Sequence, residues 1–266
     1  MRLRIPDWAI YFIIVVLLYV NAAQRSPDID SSIPPPELGP LLPGESPRDT
    51  TVLVEMDRPS SGIGTAFAVD NKGTWLTARH VIDGCDDIAL NLGNGKRIRT
   101  QRAEISRSTD IGVLKTKWKR EPLASDLNST RNIGEHAYLM GFPQGRPGEV
   151  VGRLLGRHRL LVRGRYKSEE AILAWTEVGR TRGLRGSIGG MSGGPVLDAD
   201  GEVIGIVAAE SPRRGRVYTV APKSLRPVIP RGVQADPIAV TDATYGLEAD
   251  RYRRERRIAQ VICIVN

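Results

Sequence analysis

Residues 189–195 read Gly-Gly-Met-Ser-Gly-Gly-Pro, so that Ser192 is flanked by glycines on both sides. A serine hydroxyl is a weak nucleophile at neutral pH, and an acyl-transfer enzyme supplies a base and an anion-binding pocket beside it. Glycines permit a sharp turn and let a substrate carbonyl approach main-chain N–H groups. With Ser192 as the nucleophile, the N–H groups of Gly190 and Ser192 are predicted to form an oxyanion hole. The alternative is a glycine-rich loop with an incidental serine.

Two upstream stretches supply the other groups that such chemistry requires. Residues 77–81 (TARHV) follow an apolar run and contain His80, and residues 109–115 (TDIGVLK) place Asp110 at the entrance to a buried strand. Both settings hold the side chain rigidly. We therefore predict a triad in which His80 accepts the Ser192 proton and Asp110 orients the imidazole.

These stretches, together with residues 201–206 (GEVIGI), resemble the chymotrypsin-like (trypsin-like) serine proteases, and most of all the bacterial Deg, or high-temperature-requirement, group. The resemblance spans about residues 50–230. It implies a serine endopeptidase that hydrolyses peptide bonds of exported or envelope proteins through an acyl-enzyme. Many Deg proteases carry a peptide-binding PDZ domain, and none is expected in this sequence.

Short apolar runs separated by glycine turns predict an all-β fold. Their distribution indicates a protease domain at residues 50–232, divided into halves at about 50–122 and 123–232. We expect two antiparallel β-barrels of the chymotrypsin-like type, with the active site in the cleft between them. Residues 233–266 are expected to form a C-terminal basic tail.

The N-terminal region has the pattern of an export segment. Residues 1–23 begin with two arginines and continue with an uninterrupted apolar run from Trp8 to Val20. This pattern predicts a membrane helix that serves as a signal anchor, or else a cleaved signal peptide. Residues 24–49 are rich in proline and should form an extended linker. We expect a periplasmic protease domain anchored to the membrane, or a secreted one if the segment is removed.

The resemblance also locates a first specificity pocket, whose floor lies about six residues before the serine, at Gly186 and Ser187. Neither position is a carboxylate, so selection for arginine or lysine is not expected. A small or aliphatic substrate side chain packed against Val207, Ala208 and Ala209 is the prediction.

Cysteine is sparse, and the pair Cys85 and Cys263 is compatible with either a disulfide or two separate thiols. No cluster of cysteines and histidines has the spacing of a metal site, so no metal or other cofactor is expected.

The formal net charge of +8 leaves a second functional class open. A protease fold without turnover could bind anionic envelope polymers or nucleic acid through its arginines. Aromatic residues make up 5% of the chain, too few for the stacking that single-stranded nucleic acid requires, so no nucleic-acid partner is expected. Polypeptide substrates are the expected partners.

Overall fold

The computed structural model describes residues 33–93, 95–230, 232–233 and 235–266. The predicted membrane helix at residues 1–23 lies outside these residues, as does the first part of the predicted linker. Within the described part of the chain, no helix is both long and apolar enough to cross a membrane.

The described residues are mostly β-structure. In chain order the strands are β1 (Thr50–Met56), β2 (Gly62–Ala68), β3 (Thr74–Thr77), β4 (Asp87–Asn91), β5 (Arg97–Arg99), β6 (Arg102–Ile105), β7 (Gly112–Lys115), β8 (His136–Gly141), β9 (Gly148–Gly164), β10 (Ser168–Arg180), β11 (Pro195–Leu197), β12 (Val203–Ser211), β13 (Arg216–Val220) and β14 (Ile258–Ile264). Three helices accompany them: α1 (Arg79–Ile82), α2 (Pro222–Leu225) and α3 (Tyr245–Arg254). Two 3-10 turns lie at Pro143–Gly145 and Pro212–Arg214.

The strands form two seven-stranded sheets, which confirms the prediction of a mostly β fold with two sheets. The first sheet has the order β5-β4-β14-β2-β3-β7-β6. The second has the order β1-β9-β10-β13-β12-β11-β8. Because β8 also pairs with β9, six strands of the second sheet close into a ring. The pairings between these strands are antiparallel, except that β1 runs parallel to β9.

Each sheet buries its own apolar cluster, and a fully buried tryptophan lies in each one. Trp75 on β3 packs with residues that include Leu90, Leu114 and Val261. Trp175 on β10 packs in the second sheet, where its neighbours include Leu139, Val150, Leu154, Val196 and Ile204. Replacing a buried tryptophan of this kind by alanine costs about 3–5 kcal/mol. The loops that carry the candidate site therefore start from rigid strands.

Two strands lie in the sheet that their position in the sequence does not suggest. The first strand, β1, belongs to the sheet built mainly from the second half of the chain. Conversely, β14 comes from residues 233–266 and lies between β2 and β4 in the first sheet. Short apolar segments carry no information about which sheet they join, because periodicity reports burial and not partner.

The two cysteines are joined. Cys85 follows α1, Cys263 lies on β14, and their Cα atoms are 5.5 Å apart across the disulfide. The bond ties the central strand β14 to the segment that follows His80.

Candidate active site

The imidazole of His80 is held by two hydrogen bonds to one carboxylate. The main-chain N–H of His80 donates to Asp110 Oδ1 at 3.0 Å, and His80 Nδ1 lies 2.8 Å from Asp110 Oδ2. Asp110 is buried, at 2% exposure, whereas the His80 side chain is 20% exposed. An ionised carboxylate only accepts hydrogen bonds, so the Nδ1 proton belongs to the imidazole and Nε2 is left as its basic nitrogen.

The electrostatic environment of His80 favours its protonated form. Burial lowers the pKa of His80, but the charge of Asp110 and its hydrogen bond outweigh that effect and raise the pKa above the usual value. The guanidinium of Arg165 opposes the rise. The imidazole is therefore poised to accept a proton from a neighbouring hydroxyl.

A second acid lies beneath Asp110 and was not recognised in the sequence. The main-chain N–H of Asp110 donates to Glu170 Oε1 at 2.5 Å, and Glu170 is 6% exposed on β10. Burial raises the pKa of Glu170 to about 8; the Asp110 N–H opposes the rise, and the Asp110 charge adds to it.

The loop that carries Ser192 packs against the His80 region through its main chain. The Ser192 carbonyl accepts a hydrogen bond of 2.8 Å from the N–H of Thr65. Gly193 has φ +83°, and a Cβ atom there would lie 2.5 Å from the nitrogen of Ala78, two residues before His80. Among the described residues, no hydrogen bond joins the Ser192 hydroxyl to the His80 ring. Such bonds are often long in an unliganded site and tighten with substrate.

The Gly189–Ser192 turn has its carbonyls engaged and two N–H groups left over. The Gly189 carbonyl accepts from the N–H of Gln144 at 2.6 Å, and the Gly190 carbonyl accepts from Thr65 Oγ1 at 2.8 Å. Within the described part of the chain, the N–H groups of Gly190 and Ser192 have no acceptor. Unpaired main-chain donors are uncommon in folded proteins. This arrangement has the donors that an oxyanion requires.

Gln144 is a further residue at this turn that sequence reasoning missed. Its backbone is left-handed, with φ +52°, which is unusual for a residue other than glycine. Its side-chain Nε2 donates to the carbonyls of Arg185 at 2.6 Å and Ser187 at 2.8 Å. Gln144 thus holds the segment leading to Ser192 with both its main chain and its side chain. A lone glutamine in a turn carries no sequence signal for this role.

The residues predicted for the specificity pocket lie on two adjoining segments. Gly186 and Ser187 are exposed, and Val207 exchanges main-chain hydrogen bonds of 2.8 and 3.0 Å with Gly193 and Gly194. Ala208 and Ala209 follow on β12.

A carboxylate does reach this pocket, although the sequence analysis found none at its floor. The hydroxyl of Ser187 donates to the carboxylate of Glu210, the next residue along β12, and the N–H of Ile188 donates to the same group at 3.0 Å. The charge comes from the opposite segment, and spacing from the serine does not reveal it.

One group of carboxylates, within the described residues, has the proximity of a metal site: Asp126, Asp198 and Glu202. The Arg131 guanidinium lies 2.9 Å from both Asp126 and Asp198. The cluster is therefore neutralised by a cation of the chain itself.

Comparison with known proteins gives consistent results. The sequence profile of the trypsin-like peptidase domain matches residues 64–206, more than half of the chain. A protein of Pseudomonas savastanoi pv. phaseolicola, named as a DegP-like periplasmic serine endoprotease, is 29% identical over 213 residues, which are 77% of this chain and 39% of that protein. HhoA of Synechocystis, named as a serine protease, is 31% identical over 163 residues, 58% of this chain and 38% of that protein. The chain thus spans about two fifths of the length of these curated relatives.

The fold also matches a solved structure. The crystal structure of Rv3671c from M. tuberculosis H37Rv, in an inactive form, superposes with a TM-score of 0.51 at 17% identity. The match covers 62% of this chain and 78% of that one. At this identity the likeness concerns the fold alone.

Proposed function

This chain belongs to the trypsin-like peptidase domain family, and we propose on that basis that it is a serine endopeptidase acting through His80, Asp110 and Ser192. The observation that carries the proposal is the double hydrogen bond from His80 to buried Asp110, at 3.0 and 2.8 Å. The serine loop packs against the same region, in keeping with a cleft between two β-modules.

The proposed reaction follows from these positions. Ser192 Oγ attacks the scissile carbonyl while His80 Nε2 takes the hydroxyl proton, and Asp110 stabilises the imidazolium that forms. The N–H groups of Gly190 and Ser192 hold the oxyanion, where loss of one donor costs about 3–4 kcal/mol of barrier. The tetrahedral intermediate expels the amine, which leaves with the proton from His80. Water, deprotonated by His80, then releases the acyl group and restores the Ser192 hydroxyl.

We propose that Glu210 sets the substrate preference, in place of the small or aliphatic preference expected from sequence. Its carboxylate lies against Ser187 and Ile188, beside the pocket residues Val207 and Ala208. An aliphatic side chain would desolvate this charge without a compensating partner, whereas lysine or arginine would pair with it. Peptides with a cationic residue before the scissile bond are the proposed substrates.

Export is the location proposed for this activity. A disulfide supports an oxidising compartment, and one relative is named as periplasmic. We propose a periplasmic protease domain at about residues 50–232, held at the membrane by residues 1–23 through the linker 24–49, or secreted if that segment is cleaved. Exported or envelope polypeptides are then the substrates.

The test is labelling with a fluorophosphonate, which reacts only with an activated serine. Wild type is compared with Ser192→Ala and with Ser108→Ala, which alters an exposed serine. Labelling of wild type and Ser108→Ala, with none in Ser192→Ala, is the expected result. Absence of labelling in folded wild type between pH 6 and 9 would overturn the proposal and favour a silent binding module for anionic partners.

A further inference from the structure

A buried glutamate connects the two sheets at the Asp110 loop. Glu170 lies on β10 in the second sheet, whereas Asp110 immediately precedes β7 of the first. The hydrogen bond from the Asp110 N–H to Glu170 Oε1, at 2.5 Å, crosses between them. Glu170 Oε2 is also buried and has no hydrogen-bond partner among the described residues. A buried acid with one oxygen committed to this contact needs an explanation.

The surroundings of Glu170 provide no cation in direct contact among the described residues. Asp110 is the charged group that it contacts, and Arg79 is stacked on the Tyr166 ring at 3.5 Å. Glu170 also lines a cavity of about 300 Å³. The other titratable groups around that cavity are Glu45, Asp49, His158, Arg159 and Glu169. Arg159 pairs with Glu169 at 3.0 Å, so its charge is already matched.

Two adjacent buried carboxyl groups do not both ionise readily. Burial raises the pKa of Glu170 to about 8, with the Asp110 N–H opposing and the Asp110 charge reinforcing the rise. Asp110 already accepts two hydrogen bonds from His80, which stabilise its charged form. At neutral pH the pair therefore carries one negative charge, and that charge is on Asp110.

We propose that Glu170 is a positioning residue for the His80–Asp110 pair, acting as a neutral acid that fixes the Asp110 main chain across the two sheets. This inference rests on the proposed function. A neutral acid holds the Asp110 N–H without adding a second charge beside the imidazole. The Asp110 carboxylate is then free to face His80 with both oxygens.

Three variants separate this role from a general effect on folding. Glu170→Gln keeps the acceptor and removes the titration, whereas Glu170→Leu removes the acceptor. Glu169→Gln alters the neighbouring glutamate, whose side chain is 55% exposed, and serves as the matched control. We expect Glu170→Leu to lower kcat about 100-fold with little change in KM, because a misplaced Asp110 impairs the chemical step. Glu170→Gln should restore most of the loss, and Glu169→Gln should behave as wild type.

Two measurements do not depend on turnover. The three histidines can be titrated by NMR, and Glu170→Leu should lower the pKa of His80 while leaving His136 and His158 unchanged. Urea unfolding should become easier for wild type as pH rises from about 4.5 to 8. In that window the unfolded chain releases the Glu170 proton and the folded protein retains it, so stability is lost with rising pH. Glu170→Gln should lack this part of the slope.

The outcomes distinguish this proposal from the proposed function. If Glu170→Gln unfolds with the pH slope of wild type, or if Glu170→Leu leaves the His80 titration unchanged, the positioning role is wrong. If the His80 titration responds as expected but wild type is never labelled by fluorophosphonate, the positioning role stands and the endopeptidase proposal fails.

Discussion

The main-chain N–H of Gln144 donates a hydrogen bond of 2.6 Å to the carbonyl oxygen of Gly189. The two polar groups of a trans peptide point in opposite directions, so this contact turns the N–H of Gly190 away from Gln144. The orientation of the proposed oxyanion donor thus depends on a turn that belongs to a different pair of strands, β8 and β9.

Gln144→Ala is expected to lower kcat by about tenfold with KM nearly unchanged, since the oxyanion forms only in the transition state. The substitution removes the two side-chain hydrogen bonds to the carbonyls of Arg185 and Ser187. Gln144→Gly removes them too but suits the positive φ, so it separates loss of the amide from backbone strain. Equal kcat values for all three proteins would contradict the assigned role.

Gly190→Ala is expected to destabilise the fold by about 1–3 kcal/mol, because its left-handed backbone disfavours any side chain. Gly190 has φ +96°, and a Cβ atom would lie 2.6 Å from the Phe142 carbonyl oxygen. Gly44→Ala is the control, since a Cβ atom at Gly44 meets nothing within 4 Å. Urea unfolding measures both. Similar midpoints for the two variants would show that the turn at Gly190 is more adaptable than its geometry indicates.

Arg165→Gln should shift the acid limb of kcat/KM to higher pH. Burial lowers the pKa of His80, Asp110 raises it more, and Arg165 opposes that rise, so loss of the guanidinium favours the imidazolium further. The base then becomes available only at a higher pH. Arg163→Gln, which alters an exposed arginine two residues earlier, should leave the profile in place. A limb that moves to lower pH in Arg165→Gln would refute this electrostatic account.

Loss of the Cys85–Cys263 disulfide is expected to cost about 2–5 kcal/mol of stability. The double substitution to serine and reduction of wild type should lower the urea midpoint to a similar extent. Reductant should have no effect on the double variant. An unchanged midpoint after reduction would show that β14 is held by its strand pairing alone.

Glu210→Gln should abolish a preference for lysine or arginine before the scissile bond in a peptide library. The carboxylate against Ser187 is the charge that such residues would meet. Glu104→Gln, on the exposed strand β6, is the control for a change in overall charge. A wild-type profile dominated by valine or alanine would restore the preference expected from sequence.

The sequence predicted the triad because each member follows or precedes an apolar strand within a distinctive motif. It did not predict Glu170. Glu169 and Glu170 are adjacent and chemically identical, yet the first is exposed and the second buried, because side chains alternate between the faces of a strand. Which face meets the Asp110 loop depends on how the two sheets pack, and that information is absent from local pattern.

The same reasoning applies to the end of the chain. Residues 248–257 read as a charged run, which indicated a short helix, and α3 covers most of it. Residues 258–264 are apolar and β-branched, but nothing local distinguishes a strand that packs on a domain from one inserted at its centre. Their pairing with β2, about two hundred residues earlier, is a property of tertiary structure.

The central position of β14 links assembly of the site to the order of protein synthesis. A ribosome delivers β2, β3 and β4 long before residues 258–264, so the sheet beneath His80 stays divided while the intervening chain is made. A growing polypeptide therefore passes through translation with its nucleophile and base in unfinished surroundings, and their completion awaits the last strand to emerge.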